Sequence, residues 1–315
     1  MRYLIITLSF VLLGIAPFFG QIEISIYNIF DNSLMDYQIF WDIRVPRVIL
    51  AFFVGAILAL SGLIFQTIFR NPMSTPFTLG VASGATLFTA IGIVLGFAAF
   101  ISLFAFIGAM LTIVLLFIIS SKIDIVQTSS LLLVGIALSF FYSASLMVLF
   151  FISDLQESYE IVRFTMGSLD IVGFSDVYVI VIAGIFILSI VSKYKYHIQL
   201  LLTSHEFAIL KGIDVKKTNY ILLFSVSLVV GICVSITGPI GFVGLIIPHI
   251  LKTIYKQSAH KLIFPIFFYG GVFLVLCDVI ARNLGTSSDI PIGVVTSFLG
   301  APFFIYLILK KKRLQ

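Results

Sequence analysis

The chain has 315 residues, of which 60% are hydrophobic and 10% charged, and its mean hydropathy is +1.19. Soluble domains carry about 25% charged residues, so this composition excludes a soluble protein and indicates an all-α polytopic membrane protein. The formal net charge of +5 is attributed to loops that face one side of a membrane, and no nucleic-acid partner is expected.

Ten apolar runs are candidates for membrane spans, each of which needs about 20 residues. The uncharged stretch from Pro72 to Ser121 would be about 75 Å long as one helix, so we divide it into two spans at Gly96. The other eight are Tyr3 to Phe19, Pro46 to Phe69, Thr128 to Ile152, Val177 to Ser192, Tyr220 to Ile236, Gly241 to Ile254, Leu262 to Ala281 and Pro291 to Leu309. No polar segment is long enough for a separate soluble domain, so residues 1–315 form a single transmembrane domain.

The cations are distributed unevenly between the loops of this ten-span arrangement. One side collects 15 of the 19 Lys and Arg residues, including both chain ends. The other side keeps four arginines together with ten acidic residues. The positive-inside rule therefore predicts that both termini are cytoplasmic. We expect the protein to be a multi-pass protein of the inner, or cytoplasmic, membrane.

Small residues recur at helical spacing within the spans, for example at Gly55, Ala59 and Gly62 and again at Gly238, Gly241 and Gly244. Small side chains allow helix backbones to approach closely in lipid, where apolar burial drives no association. We interpret most of these glycines as packing positions.

One polar segment of mixed charge, from Lys193 to Lys217, follows the sixth span and is predicted to be cytoplasmic. Such a segment is where a soluble partner could contact the spans and move them. The lysines near its ends are expected to fix the topology and to anchor the chain to lipid.

The sequence contains no pattern typical of a catalytic or metal site. Cys233 and Cys277 lie inside apolar runs and are expected to be buried hydrophobic residues. An HExxH motif, a Cys/His cluster and a GxxxxGK[ST] phosphate loop are all missing. We therefore expect no enzyme activity, cofactor or metal in this chain, and any ATP and Mg²⁺ would be bound by another chain.

Four sequence blocks resemble the FecCD family, the permease subunits of ATP-binding-cassette importers for iron-siderophores, haem and cobalamin. They are RVPRVILAFFVGAILALSGLIFQTIFRNPMSTPFTLGVASGA at 44–85, GPIGFVGLIIPHILK at 238–252, DVIAR at 278–282 and IPIGVVTSFLGAPFFIYLIL at 290–309. The resemblance implies the same ten-span fold. It also implies a second permease copy or paralogue, two ATPase subunits and a periplasmic or lipid-anchored substrate-binding protein as partners, in addition to membrane lipids.

Within residues 203–217, between spans six and seven, the run HEFAILKGIDV (205–215) resembles the family's coupling helix, which contacts the ATPase. Glu206, Ala208 and Gly212 match that pattern, whereas His205 and Lys211 depart from it. A glycine at its C-terminal end would stop the helix and give it a rigid shape. The alternative is an ordinary solvated loop.

The resemblance also gives roles to charged residues on the outer side. Arg44, Arg47 and Arg282 are similar to family arginines that receive acidic residues of the binding protein, which suits the forked guanidinium group. The alternative is that they reach to the membrane interface as lipid anchors. Asp278 lies four residues before Arg282, so these two residues are also expected to form an intramembrane ion pair.

Four polar residues are candidates for the pathway or its gate. Thr128 and Ser129 begin the fifth span, where the resemblance places a cytoplasmic constriction, although both also suit a helix N-cap. Gln66 and Asn71, near the inner end of the second span, could line the route, but we favour hydrogen bonding between helices.

The function expected from these observations is transport of a ferric siderophore by a permease that a partner ATPase drives. A haem or cobalamin permease of the same family is the alternative. An ion-coupled secondary transporter would normally place ionisable sites near the membrane midplane in both halves of the chain. Only Asp278 is a candidate for such a site.

Overall fold

The computed structural model describes residues 2–32, 34–122, 128–255, 257–285 and 289–312, and every regular element within these ranges is a helix. Helices satisfy their backbone hydrogen bonds internally, as an apolar environment requires. The α-helices are α1 Arg2–Ile15, α2 Met35–Gln38, α3 Val45–Ile68, α4 Val81–Val94, α5 Ile101–Lys122, α6 Thr128–Ile152, α7 Leu155–Met166, α8 Ser175–Lys193, α9 Lys195–Thr203, α10 His205–Leu210, α11 Val215–Thr237, α12 Val243–Tyr255, α13 Ala259–Leu284 and α14 Ile292–Lys312. A π-helical turn, Ile39–Arg44, joins α2 to α3, and 3₁₀ turns occur at Ala16–Phe18, Asn28–Phe30 and Ala98–Phe100.

Five of the described helical segments are long and apolar enough to cross a membrane: Met35–Ile68, Leu132–Ile152, Ser175–Lys193, Val215–Thr237 and Ala259–Leu284. Five shorter apolar segments, Ile6–Phe18, Val81–Val94, Ile101–Leu116, Val243–Tyr255 and Ile292–Ile305, coincide with the remaining predicted spans. The helical, multi-pass fold is therefore as predicted. Ten crossings with both termini cytoplasmic stay a prediction.

The centre of the molecule is α3, which packs mainly against α13 and also against α12, α8 and α11. Glycines allow this close packing. A Cβ atom on Gly55 would overlap the carbonyl oxygen of Gly270 in α13, and one on Gly62 would overlap that of Gly244 in α12. The interpretation of Gly55, Gly62 and Gly244 as packing positions is confirmed.

The third predicted span begins later than expected. Residues 71–80 form turns, and α4 begins only at Val81, after Gly80 with φ +81°. The backbone N–H groups of Thr75 and Thr78 each donate to the side-chain oxygen of the other, at 2.9 and 3.3 Å. These local hydrogen bonds, together with Pro72 and Pro76, compete with helix formation although the stretch is uncharged.

The helix α7 was not anticipated in the loop after the fifth span. Its capping box is formed by Asp154 and Glu157, whose side chains each accept from the other's backbone N–H group at 2.8 and 3.0 Å. Its residues are mixed polar and apolar, so α7 is amphipathic, and it packs against α4 and α14.

Candidate functional site

Two separate groups of the predicted site residues lie at opposite ends of α3. We call them the Arg47 end, where α3 begins, and the α10 end, where α3 stops. Arg70, just after α3, donates to the carbonyl oxygen of Leu201 in α9 at 3.3 Å, which places α9 and the adjoining α10 at that end.

At the Arg47 end, two of the predicted docking arginines hold the turn that follows α1. The guanidinium group of Arg44 donates to the carbonyl oxygens of Pro17 and Phe18, at 3.3 and 3.1 Å, and to that of Ile22. Arg282 donates to the carbonyl oxygens of Phe19 and Ala16 at 3.1 and 3.3 Å. These carbonyls belong to the 3₁₀ turn Ala16–Phe18 and to the residues after it, so both arginines hold the chain where it leaves α1.

Arg47 is the hub of an ion network that joins three parts of the chain. Its Nε atom donates to Asp278 of α13 at 2.9 Å. Its Nη1 atom donates to Asp170, in the loop after α7, at 2.8 Å and to Asp289, in the loop before α14, at 2.6 Å. One guanidinium group therefore ties both loops to the α3–α13 core.

The predicted ion pair between Asp278 and Arg282 is present, with 3.0 Å between Asp278 Oδ2 and Arg282 Nη2. The two atoms are not aligned as a hydrogen bond, so the contact is electrostatic. The Asp278 side chain is fully buried, and its other oxygen accepts from Arg47. A buried carboxylate needs such compensation because it has left water.

A cavity of about 500 Å³ opens beside this network. Its lining includes Arg47, Asp170 and Asp289 together with Tyr159 and Arg163 of α7. Arg163 is the most exposed of the charged side chains, at 64%, and its Nη2 atom lies 3.7 Å from Asp170. The cavity wall therefore carries charges of both signs, and its net charge is close to zero.

The expectation that the three docking arginines are available on the outer surface needs correction. Arg44, Arg47 and Arg282 are only 5%, 7% and 4% exposed. They are buried because their guanidinium groups neutralise buried carboxylates or satisfy backbone carbonyls. In this conformation they cannot receive a partner's acidic residues without first leaving these contacts.

At the α10 end, the predicted coupling run forms a short, capped helix. Ser204 caps α10 by accepting from Phe207 N–H at 3.3 Å. At its other end, Gly212 has φ +78°, Gly212 N–H donates to Ile209 O at 2.8 Å and Ile213 N–H donates to Ala208 O at 3.0 Å. This pattern is a Schellman motif, so the segment has a defined shape.

The surface of α10 is unusually apolar for a short connecting helix. Ala208 is fully buried, whereas Phe207, Ile209 and Leu210 are 42%, 61% and 83% exposed. The exposed residues Glu206 and Lys211 flank these side chains, and the Lys211 ammonium group lies 5.7 Å from the centre of the Phe207 ring. His205 begins the helix, and its side chain lies outside the described part of the structure.

Of the predicted pathway residues, Gln66 makes contacts between helices and Asn71 makes a contact within a turn. Gln66 is 5% exposed, donates to Gly244 O at 3.0 Å and accepts from Lys252 Nζ at 3.3 Å, so it joins α3 to α12. The Asn71 side chain accepts from Met73 N–H at 2.9 Å within a turn. Thr128 and Ser129 form the first turn of α6, and their side chains lie outside the described residues.

Sequence reasoning did not single out Asp170, Asp289 or Arg163. Each lies in or near a loop, and Asp170 and Asp289 lie 123 and 242 residues from Arg47. No pattern in the neighbouring sequence can predict a contact between residues so far apart in the chain. The only available signal was the concentration of acidic residues in the predicted outer loops.

Comparisons with known proteins agree on one class. The sequence pattern of the FecCD transport family matches residues 5–310. The "Probable iron chelatin transport system permease protein" of Helicobacter pylori is 36% identical over 271 residues, 86% of this chain and 82% of that protein. The hemin transport system permease protein HmuU of Yersinia pestis is 34% identical over 322 residues, 98% of this chain and 95% of HmuU.

A solved structure gives the same answer. A chain described as a metal-chelate type ABC transporter in an inward-facing conformation has a TM-score of 0.85 and 28% identity, and the match covers 98% of this chain and 100% of that one.

Further relatives from Halobacterium salinarum and Haemophilus influenzae are named for cobalamin and molybdate import.

Proposed function

The chain belongs to the FecCD transport family and is a permease of the ATP-binding-cassette importer type; we propose that the substrate it carries is a ferric siderophore. The name of the Helicobacter pylori relative, which refers to an iron chelatin, supports an iron chelate. We place the protein in the inner, cytoplasmic membrane, with the α10 end toward the cytoplasm.

The observation that carries the mechanism is α10. It is a short helix fixed by caps at both ends, and it presents Phe207, Ile209 and Leu210 to the surroundings at the end of the bundle. Buried apolar anchors supply much of the energy of protein contacts. We propose that these side chains enter a cleft of a partner ATPase, which binds ATP and Mg²⁺ and moves α10 as a rigid body.

The pathway is proposed to form between two permease subunits, a second copy or a paralogue. Only 11% of the apolar span in α6 is buried within one chain, against 83% of the span that contains α3. An exposed α6 fits a face that meets either lipid or the second subunit. The role of Thr128 and Ser129 as a gate at the start of α6 stays a prediction.

The docking of a substrate-binding protein at the Arg47 end is also a proposal. Arg44, Arg47 and Arg282 remain the predicted contacts, and docking through them would require their release from the internal contacts described above. Arg163 and Asp170, beside the network, are exposed charges that such a partner could meet.

The substrate proposal is tested by uptake of ⁵⁵Fe-labelled siderophores into cells that lack the gene and into the same cells complemented with it. We expect uptake only with the gene present, and we expect excess unlabelled haem or cobalamin not to reduce it. Haem is the second candidate, since the match to HmuU covers 98% of this chain. Restored haem uptake without iron-siderophore uptake would replace the first proposal with the second.

A further inference from the structure

A cationic patch at the α10 end takes part in none of the described ion pairs. It is formed by Lys193 at the end of α8, Lys195 and His197 of α9, and His260 and Lys261 of α13, and we call it the Lys195 patch. The helices are held together here, since α9 packs on α13 and the Tyr196 ring lies 5.5 Å from that of His260.

The sequence segments that form the patch contain no acidic residue. No Asp or Glu occurs between Asp176 and Glu206, and none occurs between Asp214 and Asp278. The described ion pairs involve arginines only, so none of them neutralises a lysine of the patch. A group of positive charges on one surface attracts anions to it.

The helices that carry the patch also contain buried polar atoms. Several buried side-chain atoms in this small region have no hydrogen-bond partner within the described structure: Ser192 Oγ, His197 Nδ1, Gln199 Oε1 and His260 Nδ1. Buried polar atoms are normally paired. Each of these atoms is closed off from the surroundings, so an external ligand would contact the exposed side chains of the same helices and not these atoms.

Aromatic rings accompany these charges. Lys195 Nζ lies 5.1 Å from the centre of the Tyr196 ring, and the Tyr194 and His197 rings are 5.2 Å apart. Tyr196 is 61% exposed. Tyrosines and lysines at the end of apolar helices are typical of the boundary between hydrocarbon and headgroups.

We infer that the Lys195 patch binds the headgroup of an anionic phospholipid from the membrane leaflet at the α10 end. The phosphate would lie among the lysine ammonium groups. Basic pockets between spans bind anionic headgroups in this manner. The inference concerns neither the substrate nor the ATPase, so it can fail while the proposed function holds.

The test is native mass spectrometry of the purified full chain titrated with dioleoyl-phosphatidylglycerol or dioleoyl-phosphatidylcholine. We expect the wild type to retain phosphatidylglycerol preferentially. Lys195→Gln with Lys261→Gln should bind it about 25-fold more weakly, since each lysine near the surface contributes about fivefold. The matched control, Lys216→Gln with Lys217→Gln, removes two exposed lysines of α11 outside the patch and should change binding less than threefold.

Equal retention of the two lipids would overturn the inference, as would equal losses in the patch and control variants. Soluble glycerol 1-phosphate competing at the same concentration as the lipid would indicate a free-phosphate site and would also overturn it. If the double variant does not insert, the single variant Lys261→Gln carries the same test, with an expected loss of about fivefold.

Discussion

At the scale of single residues, Arg47 is the predicted site residue on which three carboxylates converge. Three carboxylates, from α13 and from two loops, accept from its guanidinium group. The sequence located the charged residues and, for Asp278 and Arg282, also the pairing, because those two lie one helical turn apart. It could not locate the partners of Arg47, since contacts across 123 to 242 residues depend on the finished fold.

We expect Arg47→Met to destabilise the protein by about 3–5 kcal/mol, because it leaves the buried Asp278 without one of its two partners. The measurement is the thermal unfolding midpoint of the purified protein in detergent. Arg163→Met is the control, since Arg163 is 64% exposed and meets the same network at 3.7 Å. Equal midpoints for the two variants would show that the network does not stabilise the fold.

At the scale of elements, the caps of α10 give the coupling segment its shape. The glycine stop at Gly212 could be predicted because only glycine adopts a left-handed conformation at little cost. The exposure of Phe207, Ile209 and Leu210 could not, because it depends on how α10 rests on α9 and α11.

We expect Gly212→Val to lower ATP-driven uptake severalfold while membrane insertion stays normal. No atom lies within 4 Å of a Cβ added at this position, so the effect comes from backbone strain of about 1–2 kcal/mol. Gly212→Asn is the control, since asparagine tolerates the left-handed conformation. Uptake assays on matched membrane levels measure the difference, and a fully active valine variant would contradict the rigid-cap account.

The contact between α3 and α12 gives a second prediction for elements. We expect Gly62→Leu to prevent accumulation of the folded protein, because the added side chain would collide with the backbone of Gly244 and overpacking costs about 1–3 kcal/mol or more. Gly14→Leu is the matched control, since no atom lies within 4 Å of its added Cβ. Folded protein is measured by size-exclusion chromatography, and similar yields would contradict the close packing.

Two elements differ from prediction for local reasons. The turns at 71–80 replace the start of a span, because proline and threonine hydrogen bonds outcompete a helix there. The helix α7 carried a readable signal, since Asp154 and Glu157 have the spacing of a capping box. The spans were predicted from long runs of apolar residues, and a short amphipathic helix contains no such run.

At the scale of the whole molecule, composition predicted a helical multi-pass protein but not which faces are buried. The spans of α3 and α6 are similarly apolar, yet 83% of one and 11% of the other is buried. Lipid-facing and protein-facing residues are both apolar in a membrane. Hydropathy therefore cannot separate them, and the surface left for lipid or for a partner chain is seen only in the fold.

The orientation of the molecule is tested by labelling single cysteines with a membrane-impermeant maleimide. Leu155 of α7 and Leu210 of α10 are exposed leucines, at 90% and 83%, on helices associated with the Arg47 end and the α10 end respectively. The native Cys233 and Cys277 are buried and should stay unlabelled. We expect Leu155→Cys to be labelled in intact spheroplasts and Leu210→Cys only after permeabilisation, and the reverse pattern would invert the topology.

The central claim is that a separate ATPase subunit drives transport by moving α10. The most direct measurement is ⁵⁵Fe-siderophore uptake by complemented cells, comparing the wild type with Phe207→Asp/Leu210→Asp at equal membrane levels, with and without ATP depletion. We expect uptake to fall at least tenfold in the α10 variant and to stop in ATP-depleted wild-type cells even while a proton gradient persists. Normal uptake by the variant, or uptake that survives ATP depletion and stops only with a protonophore, would contradict the claim and favour an ion-coupled transporter.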